Sequence, residues 1–187
     1  MPSAPAVQPA PARTLVTVAD VRDGLDVQSG RVGTFNWAGQ SVTMPAGRTF
    51  EGVTFNWYTN TGEPTAFGKL YLLSQEYPGA PRDIGPSAAG LLARSESIAN
   101  GAYVFPADVS LAAGVRYWFY TDTQGSFVGS FDTDIYPGGD LYVSGFPTNP
   151  FRKAGASGHY EGPVFVPGPP GVFVDANFRL QGYAKSQ

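Results

Sequence analysis

The sequence predicts an all-β protein folded as an antiparallel jelly-roll β-sandwich with an extended N-terminal arm. Three observations lead to this prediction. The 187 residues include 24 glycines and 17 prolines, which interrupt almost every stretch that could form a long helix. Short runs of alternating apolar and polar residues recur at the spacing of sandwich strands. Hydrophobic residues make up 42% of the chain, which is enough for one sizeable core.

The arm comes first in the chain. Residues 1–13 read MPSAPAVQPAPAR, a composition typical of an extended segment that needs a surface to lie on. We therefore predict an assembly arm over 1–13 and a single sandwich domain over 14–187. The candidate contact residues of the arm are Pro2, Pro5, Pro9, Pro11 and Arg13.

The domain is predicted to start with a strand over 15–18, followed by either one helical turn or a loop over 21–27. Later strands are predicted at 34–37, 40–44, 50–58, 68–73, 91–98, 102–105, 115–120, 126–131, 141–143 and 173–180. In the strand over 115–120, Tyr117 and Phe119 alternate with Trp118 and Tyr120. One pair should therefore face the core, while the other faces outward or lies under a loop.

Two long Gly/Pro-rich loops are predicted, at 78–90 and 149–171. An irregular segment as long as 149–171 is uncommon in a compact domain, and is usually functional or ordered by a partner. We expect this loop to contribute to binding.

Six short phrases occur in a fixed order between residues 33 and 182. They are VTMPAG at 42–47, GVTF at 52–55, LY at 70–71 followed by YPG at 77–79, VSLAAGVRYW at 109–118, YPGG at 136–139 and DANFRLQG at 175–182. In these phrases the chain resembles the choice-of-anchor or PEP-CTERM-type jelly-roll domains of bacterial extracellular proteins. The resemblance implies a non-catalytic jelly roll, similar to carbohydrate-binding modules, without implying a defined ligand. The arm and the loop at 149–171 depart from the pattern.

A group of acidic residues in the segment FDTDIYPGGD is a candidate metal site. Jelly rolls often bind calcium through aspartate and carbonyl oxygens, which suit a hard cation. Asp132, Asp134 and Asp140 are the candidate ligands of a structural calcium ion. The alternative is that these aspartates form turns and accept hydrogen bonds from backbone N–H groups.

We expect no catalytic machinery. The chain contains no cysteine, its glutamates are scattered, and no GxSxG motif accompanies its one histidine, His159. His159 is interpreted as a surface-loop residue, with a role in binding or pH sensing as the alternative. The net charge of −3 provides no general attraction to nucleic acid or to an anionic membrane, so neither is an expected partner.

Aromatic residues make up 14% of the chain, more than a core of this size needs. Trp57 and Trp118 are expected in the core. Aromatic side chains near turns can contact either a sugar ring or a protein partner, and composition does not separate these uses. The candidate ligand or partner contacts are Tyr136, Tyr142, Phe146, Phe151, His159 and Tyr160.

Two hypotheses of function follow. The first is a structural assembly protein, a bacteriophage-like virion component such as a capsid decoration or tail appendage subunit, with other copies or virion proteins as partners. The first residues carry no basic region or apolar run of the signal-peptide kind, so we expect assembly in the host cytoplasm. The alternative is a glycan-binding module of a secreted or cell-surface bacterial protein.

Overall fold

The computed structural model describes residues 13–22, 32–131, 135–154, 159–161, 164–166 and 173–185. The described part is all-β, with one short 3₁₀ turn at Pro81–Asp83. The strands are β1 Leu15–Val21, β2 Val32–Thr43, β3 Phe50–Tyr58, β4 Pro64–Thr65, β5 Leu70–Leu73, β6 Leu91–Arg94, β7 Ser97–Ala99, β8 Ala102–Val104, β9 Ser110–Leu111, β10 Arg116–Thr121, β11 Gly125–Phe131, β12 Leu141–Ser144, β13 Arg152–Lys153, β14 His159–Glu161, β15 Val164–Val166, β16 Phe173–Ala176 and β17 Phe178–Ala184. Among these residues, no helix has the length and apolar character that a membrane span requires.

Two antiparallel sheets pack face to face, which confirms the predicted β-sandwich. The first sheet has the order β1-β17-β3-β8-β7, with β4 and β9 also pairing with β3. The second has the order β13-β12-β2-β10-β5-β6, and β11 pairs with both β2 and β16. Strands β14 and β15 form a separate hairpin within the loop at 149–171. The jelly-roll order of connections between the strands stays a prediction.

The main core lies between the two sheets and is built around Phe55 of β3. Its ring stacks on Phe119 at 4.8 Å and on Phe178 at 5.5 Å, and it meets Trp57 edge-on at 4.7 Å. All four side chains are fully buried. Residues at alternate positions of a strand share one face, so 53, 55 and 57 of β3 all point into this core. The predicted core position of Trp57 is confirmed.

The alternation predicted for β10 is also confirmed. Tyr117 and Phe119 belong to the core between the sheets, whereas Tyr120 lies in a second apolar cluster on the outer face of the second sheet. Trp118 packs against that outer cluster and is half-buried. The expectation that Trp118 belongs to the core was therefore wrong, because its position in the pleat places it on the opposite face from Phe119.

Two predicted turns end strands as expected. Gly47, in Pro45-Ala46-Gly47, has φ 81°, and Gly114, in Ala112-Ala113-Gly114, has φ 71°. Both values lie in the left-handed region, where glycine avoids the clash that a Cβ atom would cause. The turns therefore lead the chain from β2 of the second sheet to β3 of the first, and from β9 of the first sheet to β10 of the second.

Several predicted boundaries differ from the structure. The segments 34–37 and 40–44 belong to one strand, β2, of 12 residues. The predicted strand at 91–98 is two strands in different sheets, because Ser95 N bonds to Leu70 O while Glu96 N bonds to Val104 O of the other sheet. The predicted strand at 173–180 is interrupted at Asn177. Most of 21–27 lies outside the described residues.

Candidate functional site

The outer face of the second sheet carries an aromatic layer. Tyr120 of β10 lies 4.7 Å from Phe151, 5.6 Å from Tyr142 of β12 and 5.9 Å from Tyr77, measured between ring centroids. Gly39 of β2 makes room for these rings, because a Cβ atom there would lie 2.3 Å from the Tyr120 ring. The aromatic layer is thus a second core on the outside of the sheet.

A loop formed by residues 74–90 covers the aromatic layer. Tyr77 and Ile84 of this loop pack into the layer, and the loop meets the segment at 145–151 through backbone hydrogen bonds. Phe151 N donates to Gly79 O at 3.0 Å, and Arg82 N donates to Pro147 O at 3.0 Å. The segment at 78–90, predicted as a long loop, therefore forms a packed cover over the aromatic layer.

This cover changes the interpretation of two candidate contact residues. Tyr142 is 2% exposed and Phe151 is 6% exposed, so neither ring is available to a partner in this state, contrary to expectation. Burial raises the pKa of Tyr142 to about 12. Sequence spacing placed both residues near turns, but only the fold shows that the loop at 74–90 returns over them.

Tyr136 and Phe146 are half-buried. The Tyr136 hydroxyl donates to Thr43 O at 3.3 Å, its ring lies edge-on to Phe178 at 5.3 Å, and burial raises its pKa to about 12. The Phe146 carbonyl accepts a hydrogen bond from Ser144 Oγ at 2.7 Å. Tyr136 thus supports the fold, and a contact role for either residue stays a prediction.

His159 and Tyr160 lie in β14, where the backbone alone is described, so the placement of their side chains lies outside the described structure. Asp132, Asp134 and the arm residues Pro2, Pro5, Pro9 and Pro11 also lie outside the described residues. The predictions made for these residues remain untested.

Asp140 is the member of the predicted calcium group that the structure describes, and it forms ion pairs with two basic side chains. Its Oδ1 lies 2.6 Å from Lys153 Nζ, and its Oδ2 lies 3.4 Å from Arg116 Nη1. Its backbone N–H donates to Ser41 Oγ at 2.9 Å. In the part of the chain that the structure describes, no three His, Cys, Asp or Glu side chains are grouped as metal ligands.

A half-buried tryptophan, Trp118, lies beside these charges. Trp118 follows Arg116 by two residues on β10, so both side chains lie on the outer face. The Trp118 Nε1–H donates to the Tyr142 hydroxyl at 3.3 Å, and that hydroxyl donates to Glu76 Oε2 at 3.1 Å. We call Trp118, Glu76, Arg116, Asp140 and Lys153 the Trp118 patch. Sequence reasoning singled out Asp140 as a calcium ligand but missed Glu76, Arg116 and Lys153, because the grouping of these side chains depends on strand pairing.

The base of the arm is held on the first sheet. Arg13 Nη1 lies 2.6 Å from Glu51 Oε1, and Lys185 Nζ lies 3.5 Å from Glu51 Oε2. The Glu51 side chain is 16% exposed, whereas that of Arg13 is 65% exposed. Arg13 lies two residues before the start of β1, which is an edge strand of the first sheet. Of the predicted arm residues, Arg13 is the one that the structure describes.

A second ionic group lies at the other end of β1. Arg22 binds both carboxylate oxygens of Asp20, at 2.8 and 3.0 Å, and the Tyr58 hydroxyl donates to Asp20 Oδ1 at 2.9 Å. Burial alone would raise the Asp20 pKa, but these hydrogen bonds and the charges of Arg22 and Arg179 lower it. The Arg22 guanidinium also lies over the Tyr58 ring, 4.4 Å from its centroid. A pocket of about 460 Å³ adjoins the group.

No protein-family model matches the chain, and the comparisons with curated proteins and with solved structures found no match. The resemblance to choice-of-anchor domains therefore stays a prediction.

Proposed function

We propose that this chain is a non-catalytic structural subunit that assembles through its N-terminal arm. The observation that carries the proposal is the ion pair between Arg13 and Glu51 at 2.6 Å, which gives the arm a defined starting point on the first sheet. An exposed ion pair contributes only about 0–1 kcal/mol, so its main effect is to direct the chain rather than to stabilise the fold.

The composition of the arm suits docking on a neighbour. Proline fixes φ, so a segment with prolines at positions 2, 5, 9 and 11 loses less conformational entropy on binding than an ordinary chain. Because residues 1–12 carry no charged side chain, they lose little solvation when they are covered.

The edge position of β1 supports the same proposal. No other strand of the described residues pairs with the side of β1 that faces away from β17. A free strand edge presents unpaired backbone N–H and C=O groups, which another chain can use for pairing. The arm and β1 are consecutive, so one partner could engage both.

The finer proposal is a component of a bacteriophage-like virion, either a capsid decoration or a tail appendage subunit. It is supported by two sequence features, the Pro/Ala-rich arm and the Gly/Pro-rich loop at 149–171. Segments of this kind become ordered when they wrap around neighbouring subunits, where new contacts offset the entropy of ordering.

The test is the mass of the protein in solution, measured by light scattering. The full chain is expected to associate, and a chain that starts at residue 13 is expected to be monomeric with the same unfolding temperature. A matched control replaces residues 2–12 with a Gly/Ser segment of equal length, and it should also be monomeric. Equal masses for all three proteins would contradict the proposal.

A second candidate function is glycan binding at the Trp118 patch. It is favoured by the half-buried indole of Trp118, which has charged and hydrogen-bonding side chains beside it. In such an arrangement an aromatic face can meet a sugar ring while the polar groups meet its hydroxyls. Retardation in polysaccharide gels is expected to disappear in Trp118→Ala. It should persist in Tyr183→Ala, an aromatic change on the other sheet. Migration unaffected by every polysaccharide would exclude this function.

A further inference from the structure

We propose that the groove between β6 and the segment at 106–110 receives residues 1–12 of a second copy of this chain. This inference rests on the proposed assembly function and identifies the surface that accepts the arm. The groove has a volume of about 640 Å³. Its principal lining residues are Leu92, Glu96, Pro106, Asp108, Val109 and Ser110.

The groove contains apolar side chains, of which Leu92 is largely uncovered by the rest of the described chain. Leu92 of β6 is 49% exposed, and Pro106 and Val109 also line the groove. Pro106 and Val109 are half-buried, so Leu92 is the most exposed apolar side chain of the lining. An exposed leucine in a groove is a position where apolar contact with another chain removes surface from water.

The polar groups of the groove suit an extended Pro/Ala-rich segment. Glu96 and Asp108 are exposed, and neither forms an ion pair within the described structure. An extended polyproline-type segment has no internal hydrogen bonds, so its backbone N–H groups are free to donate to these carboxylates. Residues 1–12 contain no acidic side chain that would be repelled, and they offer Val7 to the apolar side chains of the groove.

Strand register places the base of the arm near the groove. Leu15 pairs with Tyr183, Tyr183 pairs with Glu51, and Glu51 pairs with Ser110 of the groove. These three pairings span about 14 Å at about 4.8 Å per strand. Twelve residues in extended polyproline form span about 37 Å at about 3.1 Å per residue, which exceeds this distance by about 23 Å and lets the arm extend beyond its own groove.

An exchange of arms between two copies would fill both grooves through the same contacts. Such an isologous arrangement closes as a two-fold dimer, the commonest oligomer among soluble proteins. The geometry therefore points to a dimer in which each arm crosses to its partner.

The chain has no cysteine, so a crosslink can test this arrangement directly. Full-length Val7→Cys and Leu92→Cys proteins, carrying different tags, are mixed and oxidised. A disulfide between the two differently tagged chains is expected. The matched control pairs Val7→Cys with Val115→Cys, because Val115 is 40% exposed but does not line the groove, and it should give little product.

A second measurement uses association in solution. Leu92→Asp is expected to raise the dissociation constant of the full-length dimer about tenfold or more, an effect of about 1.4 kcal/mol or more, whereas Val115→Asp should leave it unchanged. Unfolding curves of both variants, together with the milder Leu92→Ala, separate weakened assembly from misfolding.

Two results would overturn the groove assignment. The first is association that requires residues 1–12 but is unchanged in Leu92→Asp and gives no crosslink between Val7→Cys and Leu92→Cys chains. In that case the assembly function stands, but the arm binds a surface other than this groove. The second is a crosslink formed within single Val7→Cys/Leu92→Cys chains of monomeric mass, which would place the arm in its own groove. Association that does not depend on residues 1–12 would instead overturn the proposed function itself.

Discussion

Trp118 and Tyr142 are joined by a hydrogen bond of 3.3 Å from the indole Nε1–H to the phenol oxygen. The phenol in turn donates to Glu76 Oε2 at 3.1 Å, so three segments that are distant in sequence are linked at the rim of the aromatic layer. The buried body of Tyr142 supports the cover formed by residues 74–90, while Trp118 keeps part of its ring in solvent. Tyr142 and Trp118 lie on the two strands that flank β2, and burial makes the first a structural residue while the second stays a candidate contact residue.

Tyr142 should make stability sensitive to alkaline pH. Burial raises its pKa to about 12, above the value of about 10 expected in the unfolded chain. The folded state then holds the phenol proton more tightly, so its contribution is fully present below about pH 10 and is lost as the pH rises through about 12. Urea unfolding between pH 8 and 12 should show a smaller loss of stability in Tyr142→Phe. An unchanged slope would contradict this assignment.

Gly39→Ala should destabilise the fold because the added methyl group would lie 2.3 Å from the Tyr120 ring and 3.2 Å from Tyr142 Cβ. Forcing a methyl group into a packed site typically costs about 1–3 kcal/mol. Gly85→Ala is the matched control, since a Cβ atom at Gly85 meets nothing within 4 Å. Chemical unfolding of both variants measures the difference, and equal stabilities would show that the outer aromatic layer is loosely packed.

Asp20 should contribute to stability in mildly acidic solution. Burial opposes its ionisation, yet the hydrogen bonds from Arg22 and Tyr58 lower its pKa below that of an unfolded aspartate. A lowered pKa in the folded state means that the contribution is present above about pH 4 and is lost as the pH falls through the folded value. The difference in unfolding free energy between the parent protein and Asp20→Asn should therefore shrink between pH 5 and 2. A difference that stays constant would exclude this role.

Calcium binding by Asp132 and Asp134 is a separate prediction. If these residues bind the ion, calcium should raise the unfolding temperature of the parent protein, and a chelator should reverse the effect. The double variant Asp132→Asn/Asp134→Asn should lose the response. Asp140→Asn should keep most of it, because Asp140 is already paired with Lys153 and Arg116. Scanning calorimetry with and without calcium measures these unfolding temperatures. An unfolding temperature of the parent protein that calcium does not change would rule out the site.

The sequence by itself determined the class of fold. Strand alternation in β3 and β10 follows from the two-residue period of the pleat, and the turns at Gly47 and Gly114 follow from local backbone chemistry. These are short-range properties, so each can be predicted from a few neighbouring residues. Because side chains alternate along a strand, four consecutive residues of β10 alone decide which side chains share a face. Tyr117 and Phe119 share one face, and Trp118 and Tyr120 share the other.

The tertiary structure alone decided which aromatic residues are covered and which charges meet. Tyr142 and Phe151 are buried because the loop at 74–90 returns across the second sheet. Asp140 meets Arg116 because β12 and β10 both pair with β2, and it meets Lys153 because β13 pairs with β12. The ion pair between Arg13 and Glu51 likewise needs β1, β17 and β3 side by side. Such contacts join residues that are far apart in the chain. The order of the strands in each sheet determines which of these contacts form, and the local alternation of apolar and polar residues does not encode that order.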